Sequence, residues 1–550
     1  MRRWRAAAAV VVVVVGGFAV AGCSVVSTGT SGASAGSALP VAPSNTAPSV
    51  ATSGPVEVVA SSCAVPTELR LDSDWQIRNP GARHALEGWA DRTSVLPGER
   101  VSLHVSSAVG TFTATAYRMG WYGGVGAARV WRSAATAAQL QPVPAPTAQY
   151  LTTRTIATTW PASLALPTQD WPPGAYLIRL DSSAGQRFVP LTVRSRQTAG
   201  RLVMVNDVTT WQAYNAWGGY SLYHGAVDDA DFAGRSRAVS FDRPYDGDGS
   251  GGFVQQDLPA IAHAERLGLC LAYATDVDLH AVPDLLTGAA GVITLSHDEY
   301  WSSAMRAAVT KARDAGVNVA FLGANAVFRH MRFADTPFGP NRLEIDYKRL
   351  SDPLYRIDNS EVTTDWREPP VPRPESTLTG VYYECNPVDA DLVITDPSNW
   401  LFANTPARYG LHLPHVVGPE YDRVNPGVPT PATIEVLTHS PVRCRGVATF
   451  SDSAYYTVES GAGVFASGSN WFTRALPEAG SGGVTAAVVG GELTNLLTAF
   501  AAGPAGRNHP SHPNLAALNE YRGDPVAAAQ NSPSGAFRRV VPNPSASRPD

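Results

Sequence analysis

The stretch AGVITLSHDEYWS, residues 290–302, decides how this chain is read. Residues 290–295 form an apolar run of strand length, which reads as a buried strand. Where the run ends stand His297, Asp298, Glu299 and Tyr300. A packed core has no use for that set, whereas open α/β sheets bind ligands at the carboxyl ends of their strands. The segment therefore marks a site. His297, Asp298 and Glu299 cannot all face one pocket, because neighbouring side chains of an extended chain alternate in direction. Capping of the following helix is their competing role, with Ser302 as another cap.

Working outward, residues 202–205 (LVMV), 267–273 (LGLCLAY) and 317–322 (VNVAFL) are further apolar strands. Residues 258–267 and 303–315 have helical spacing or composition. Strand–helix–strand alternation predicts an α/β domain with a parallel sheet and covering helices. We place that domain at 198–503. Added strands are expected at 433–437, 446–450 and 463–467, and a terminal helix at 491–501. Two more polar loops follow apolar strands: TDVDLH at 275–280, with Asp276, Asp278 and His280, and GANAVF at 323–328, with Asn325. Three such loops after three parallel strands share one rim. For 275–280, cap chemistry competes with a pocket role. The cluster YNAWGGYSLY at 214–223 offers Tyr214, Asn215 and Trp217 to a sugar or apolar ligand. Corner packing is the other reading, as it is for FDRPY at 241–245. The loop EYDR at 420–423 adds the carboxylate of Glu420.

Ahead of this domain, 61–197 holds short alternating segments between Gly/Pro turns, at 101–105, 112–117, 175–180 and 188–193. That spacing predicts a β-sandwich. Residues 1–22 read as a lipoprotein signal peptide: Arg2, Arg3 and Arg5, then an apolar stretch, then VAGC ending at Cys23. An uncleaved membrane helix is the alternative, but the stretch is short and broken by Gly16-Gly17. The expectation is a protein lipidated on Cys23 and anchored on the extracytoplasmic face of a bacterial membrane. A flexible Ser/Thr/Gly/Ala linker follows at 23–60, and a disordered tail is expected at 504–550. Of the other cysteines, Cys385 and Cys444 lie in polar contexts and are candidates to pair. Cys270 lies in an apolar strand and reads as a buried thiol. The net charge of −5 and the lack of a basic run beyond the N-terminus exclude nucleic acid as a partner. The G-x-S-x-G, H-E-x-x-H and Walker patterns are absent.

Several segments together resemble the C-terminal region of the N,N-dimethylformamidase large (beta) subunit family. They are YRMGWYGG (117–124), YNAWGG (214–219), TDVDLH, HDEY, GAN (323–325), EYDR and GAGVFASGSNW (461–471). The resemblance implies a core like that of class I glutamine amidotransferases. It also implies hydrolysis of a linear amide by a mononuclear iron held by two tyrosines and one glutamate. It places the family's HPEY tyrosine on Tyr300 and its glutamate on Glu420. His297, Asp298, Glu299 and Asn325, read from the strand-end loops, are the candidate catalytic groups. The other tyrosine falls near Pro259, where this chain has none; Tyr245 and Tyr273 are the nearest substitutes. Two phenolates and a carboxylate would neutralise Fe(III), a metal suited to hard anionic oxygens. A metal so held polarises an amide carbonyl and acidifies water. Read from the residues alone, Tyr300 also fits as a packed tyrosine with its hydroxyl hydrogen-bonded. A second class of function is open: a non-catalytic cell-envelope protein that binds a glycan or small ligand in an aromatic cleft.

Overall fold

The strand Leu202–Asn206 is buried along its whole length. It pairs in parallel with Leu271–Thr275 on one side and Gly291–Thr294 on the other. Asn318–Phe321 and Gly463–Ala466 extend the sheet, again in parallel. Val447–Thr457 and Glu435–Cys444 complete it as antiparallel strands. Both faces of the parallel part are covered, so its strands are continuous apolar runs without alternation. Val203, Val292 and Val319 pack on one face, and Met204, Ile293 and Ala320 on the other. This computed structural model describes residues 69–146, 150–225 and 232–518. All of them belong to one compact unit that begins at Ser62. The signal segment, Cys23 and the linker lie outside the described residues.

The helix Ser303–Asp314 starts at a capping Ser302, whose hydroxyl accepts from the Met305 N–H. The residues of 275–280 form a helix rather than an open polar loop. Thr275 caps Asp276–Ala281, and its hydroxyl and the Asp278 carboxylate satisfy each other's backbone N–H. The terminal helix begins at Gly483, earlier than expected. Its first turns carry Gly and β-branched residues that propensity disfavours. Val488, Val489 and Leu493 are fully buried there, and packing overrides propensity.

The N-terminal strands form two sheets. One has Gly174–Ser182 between Thr111–Met119 and Gly185–Val193, all antiparallel. The other joins Leu86–Ala90, Val101–Ser107 and Leu164–Leu166. Leu103, Val105, Ala114, Ile178 and Leu191 belong to one apolar core that both sheets share. Buried polar contacts tie this part to the α/β part: Arg118 pairs with Glu265 at 2.7 Å, and Asp278 accepts from Ser94 at 2.6 Å.

Cys385 and Cys444 are disulfide-bonded. Cys270 is disulfide-bonded too, not the buried thiol expected; apolar neighbours report burial, not redox state. Residues 504–518, expected to be disordered, are ordered against the sheet. Asn514 bonds both the N–H and the C=O of Val436, and Tyr455 donates to the His509 carbonyl.

Candidate active site

Residues 296–299 leave the Gly291–Thr294 strand in an irregular stretch. The backbone N–H of Glu299 donates to the Thr210 hydroxyl at 2.9 Å. Gly323 lets the neighbouring strand's loop approach closely, since a Cβ there would meet the Ser296 carbonyl at 2.2 Å. His297 and Glu299 lie on the same side: His297 Nε2 is 3.6 Å from Glu299 Oε2. Asp298 is buried among other acids instead. Burial first, then the charges of Asp276 and Asp257, push its carboxyl far above the ordinary range.

Glu299 is the centre of the site. The helix Val208–Tyr214 follows the first strand of the parallel sheet and delivers Tyr214. Asn215 then accepts from the N–H groups of Trp217 and Asp246 and turns the chain. Gly218 and Gly219, both at positive φ, continue the turn. The Leu222 N–H returns to the Ala213 carbonyl, and the rings of Tyr214 and Tyr223 stack at 4.3 Å. Both phenols donate to Glu299 at 2.7 Å, Tyr214 to Oε2 and Tyr223 to both oxygens. Arg329 Nε adds a contact at 3.2 Å. Burial alone would raise the Glu299 carboxyl; Lys348, His297 and Arg329 outweigh it and hold the group below its usual value. Glu299 is thus a fully buried carboxylate that stays ionised.

Tyr300 stands one layer behind. Its hydroxyl donates to Tyr223 Oη at 2.7 Å and receives a hydrogen bond from Lys348 Nζ. Burial, then the charge of Glu299, drives its phenol well above the ordinary value, so it keeps its proton. On the other side, His297 Nε2 lies 3.3 Å from Glu420 Oε2. Asn325 Nδ2 donates to the same oxygen at 2.7 Å, and Asn386 Nδ2 to Oε1 at 2.8 Å. Asn325 adopts a positive φ of 57°, which asparagine tolerates in functional loops. Tyr300 and Glu420 therefore stand at opposite ends of a chain, Tyr300–Tyr223–Glu299–His297–Glu420. The carboxylate that gathers two phenols is Glu299, and the phenols are Tyr214 and Tyr223.

The remaining candidates are committed elsewhere. Tyr273 donates to Glu265 beside Arg118. Tyr245 packs edge-on against Trp211. Trp217 Nε1 donates to Glu87, and Asn215 serves its turn. Asp276 accepts from the Thr209 N–H and hydroxyl, Asp278 caps, and the His280 ring meets the Ser302 hydroxyl. Asn215, Asp276 and Asp278 are so used because they lie at caps and turns whose backbone donors must be satisfied. Sequence reasoning missed the roles of Tyr223, Lys348, Arg329 and Asn386. The one signal for Lys348 was Glu344, Asp346 and Lys348 at alternate positions, charged groups that are all buried.

An α/β protein with a phenol- and carboxylate-built site at its strand ends is the class that this fold and geometry define. Residues 113–483 match the family described as N,N-dimethylformamidase beta subunit-like, C-terminal, and the chain belongs to that family of hydrolases. Comparison with curated proteins gives no match.

Proposed function

We propose that this protein hydrolyses a small linear amide and that Tyr214, Tyr223 and Glu299 hold a ferric iron. The observation that carries the reading is two phenol hydroxyls at 2.7 Å from one buried carboxylate. The donor set fits the metal: three hard oxygens whose full ionisation gives three negative charges, the charge of Fe(III). It is also the composition, two tyrosines and one glutamate, that the family resemblance implies. Bound there, the ion would supply Lewis-acid polarisation of an amide carbonyl and of water.

The chain's own residues supply the rest. Tyr300 and Lys348 hold Tyr223 from behind. His297 lies between the two carboxylates, so its ring is placed to take a proton from water and pass it to the leaving nitrogen. Glu420, fixed by two amide donors, orients His297 and balances its positive form. Asn325 Oδ1 has no hydrogen-bond partner among the described residues and suits an amide N–H or a water. Amide hydrolysis needs this division: water attacks carbon, the C–N bond breaks, and the departing nitrogen requires a proton.

The order of the parallel strands supports an amidotransferase-like core, and the two N-terminal sheets with a common core support a β-sandwich. A lipid-anchored, extracytoplasmic location remains part of the proposal on the strength of the N-terminal sequence alone. The test is amine release from short N-alkylformamides by iron-loaded protein. Turnover lost in Glu299→Gln is the expected result; turnover unchanged by iron removal would overturn the reading.

A further inference from the structure

Behind the 215–220 turn lies a second feature that the hydrolytic site does not use. Arg243 is buried, at 1 % exposure, and forms no ion pair among the described residues. Its Nη1 donates to the carbonyls of Trp217 and Tyr220, and its Nη2 to that of Asn215, each at 2.9 Å. Its Nε has no hydrogen-bond partner among the described residues. The nearby Asp246 accepts from the Ala216 N–H rather than pairing with Arg243. Burial drags the guanidinium down to about 10. A buried cation without a close counter-charge is costly.

Arg243 lines a cavity of about 30 Å³, together with Trp211, Trp89, Asn206, Tyr245 and Phe253 among others. Among the described residues no Asp or Glu lines it, while Arg92 adds a second positive side chain. Three side-chain atoms of the lining residues are buried without a hydrogen-bond partner among the described residues: Arg243 Nε, Trp211 Nε1 and Trp89 Nε1. All three are donors and none can accept. Water must donate as well as accept; these three groups offer it nothing to donate to, and the Asn206 amide oxygen on the same wall already accepts from Thr192. A small anion only accepts and brings the missing negative charge.

We propose that this cavity binds a monovalent anion of halide size through Arg243 and Trp211. The space is that of a few waters at most, which suits a small ion. Because Arg243 also clamps the turn that joins Tyr214 to Tyr223, the bound anion stabilises the segment that presents both phenols. The proposal is independent of whether iron binds.

Two measurements on the full chain test it. Crystals grown without halide and soaked in bromide should give an anomalous peak within hydrogen-bonding distance of Arg243 Nε or Trp211 Nε1. Tm should rise to a plateau with sodium bromide relative to sodium gluconate at equal ionic strength. The rise should shrink in Trp211→Phe, which keeps a ring and removes the donor. Water in the cavity with no anomalous signal would overturn the proposal. So would a bromide peak without a halide-specific rise in Tm, which marks an adventitious ion only.

Discussion

Tyr223 Oη sits between an acceptor, Glu299, and a donor, Tyr300, and that asymmetry separates the roles of the two neighbours in HDEY. Glu299 provides the carboxylate; Tyr300 supports the phenol that meets it. Tyr300→Phe removes one hydrogen bond to a charged or ligating oxygen, worth about 1.5–3 kcal/mol. We expect kcat to fall about 10-fold or more in that variant while bound iron stays stoichiometric, as read by steady-state kinetics and metal content. Glu420→Gln should likewise retain iron. Its kcat should drop by about 10²–10⁴-fold, the range for loss of acid–base assistance. The HDEY site was legible in sequence because four reactive side chains at a strand end have no core role. Its partner phenols were not, since Tyr214 and Tyr223 come from the turn after the first strand of the parallel sheet. No local pattern records that a helix and a Gly-Gly turn stack their rings over Glu299.

At the scale of elements, the site depends on close approach of two strand-end loops. Gly323→Ala sets a Cβ against the Ser296 carbonyl. It should destabilise the fold by about 1–3 kcal/mol, the cost of overpacking, and displace His297 from Glu420. Urea unfolding reads the first effect and kcat the second. Thr275→Ala, by contrast, removes a cap whose partner is Asp278 rather than Glu299 or its phenols, and should cost about 1 kcal/mol with kcat unchanged. The parallel strands were readable because burial on both faces makes them uniformly apolar. The 275–280 segment was ambiguous because Asp and Thr serve pockets and caps equally well. Its capping box decides the matter only in three dimensions.

Across the whole molecule, the Cys385–Cys444 bond closes a loop with a sequence separation of 59 that contains both Asn386 and Glu420. Chain entropy makes such a closure worth about 4 kcal/mol. Replacing both cysteines with serine should lower the urea midpoint accordingly and reduce kcat more than iron content. The buried acids set a pH trend. Burial raises Asp257 and Asp276 to about 7, well above unfolded aspartate at about 3.9. The folded state therefore holds protons that the unfolded state has released. Stability from these groups is full below about pH 4 and is lost as pH rises toward 7. Asp257→Asn should flatten that slope in urea midpoints measured across the range. The long closure was legible from the polar contexts of its two cysteines; the sheet order was not, because strand periodicity carries no record of which strands are neighbours.

Iron content across one set of purified, iron-reconstituted variants tests the central claim most directly. The account predicts stoichiometric iron in the native protein, Tyr300→Phe and Glu420→Gln, and its loss in Glu299→Gln and in the double variant Tyr214→Phe/Tyr223→Phe. Iron lost with Tyr300 or Glu420 and retained without Glu299 would contradict it.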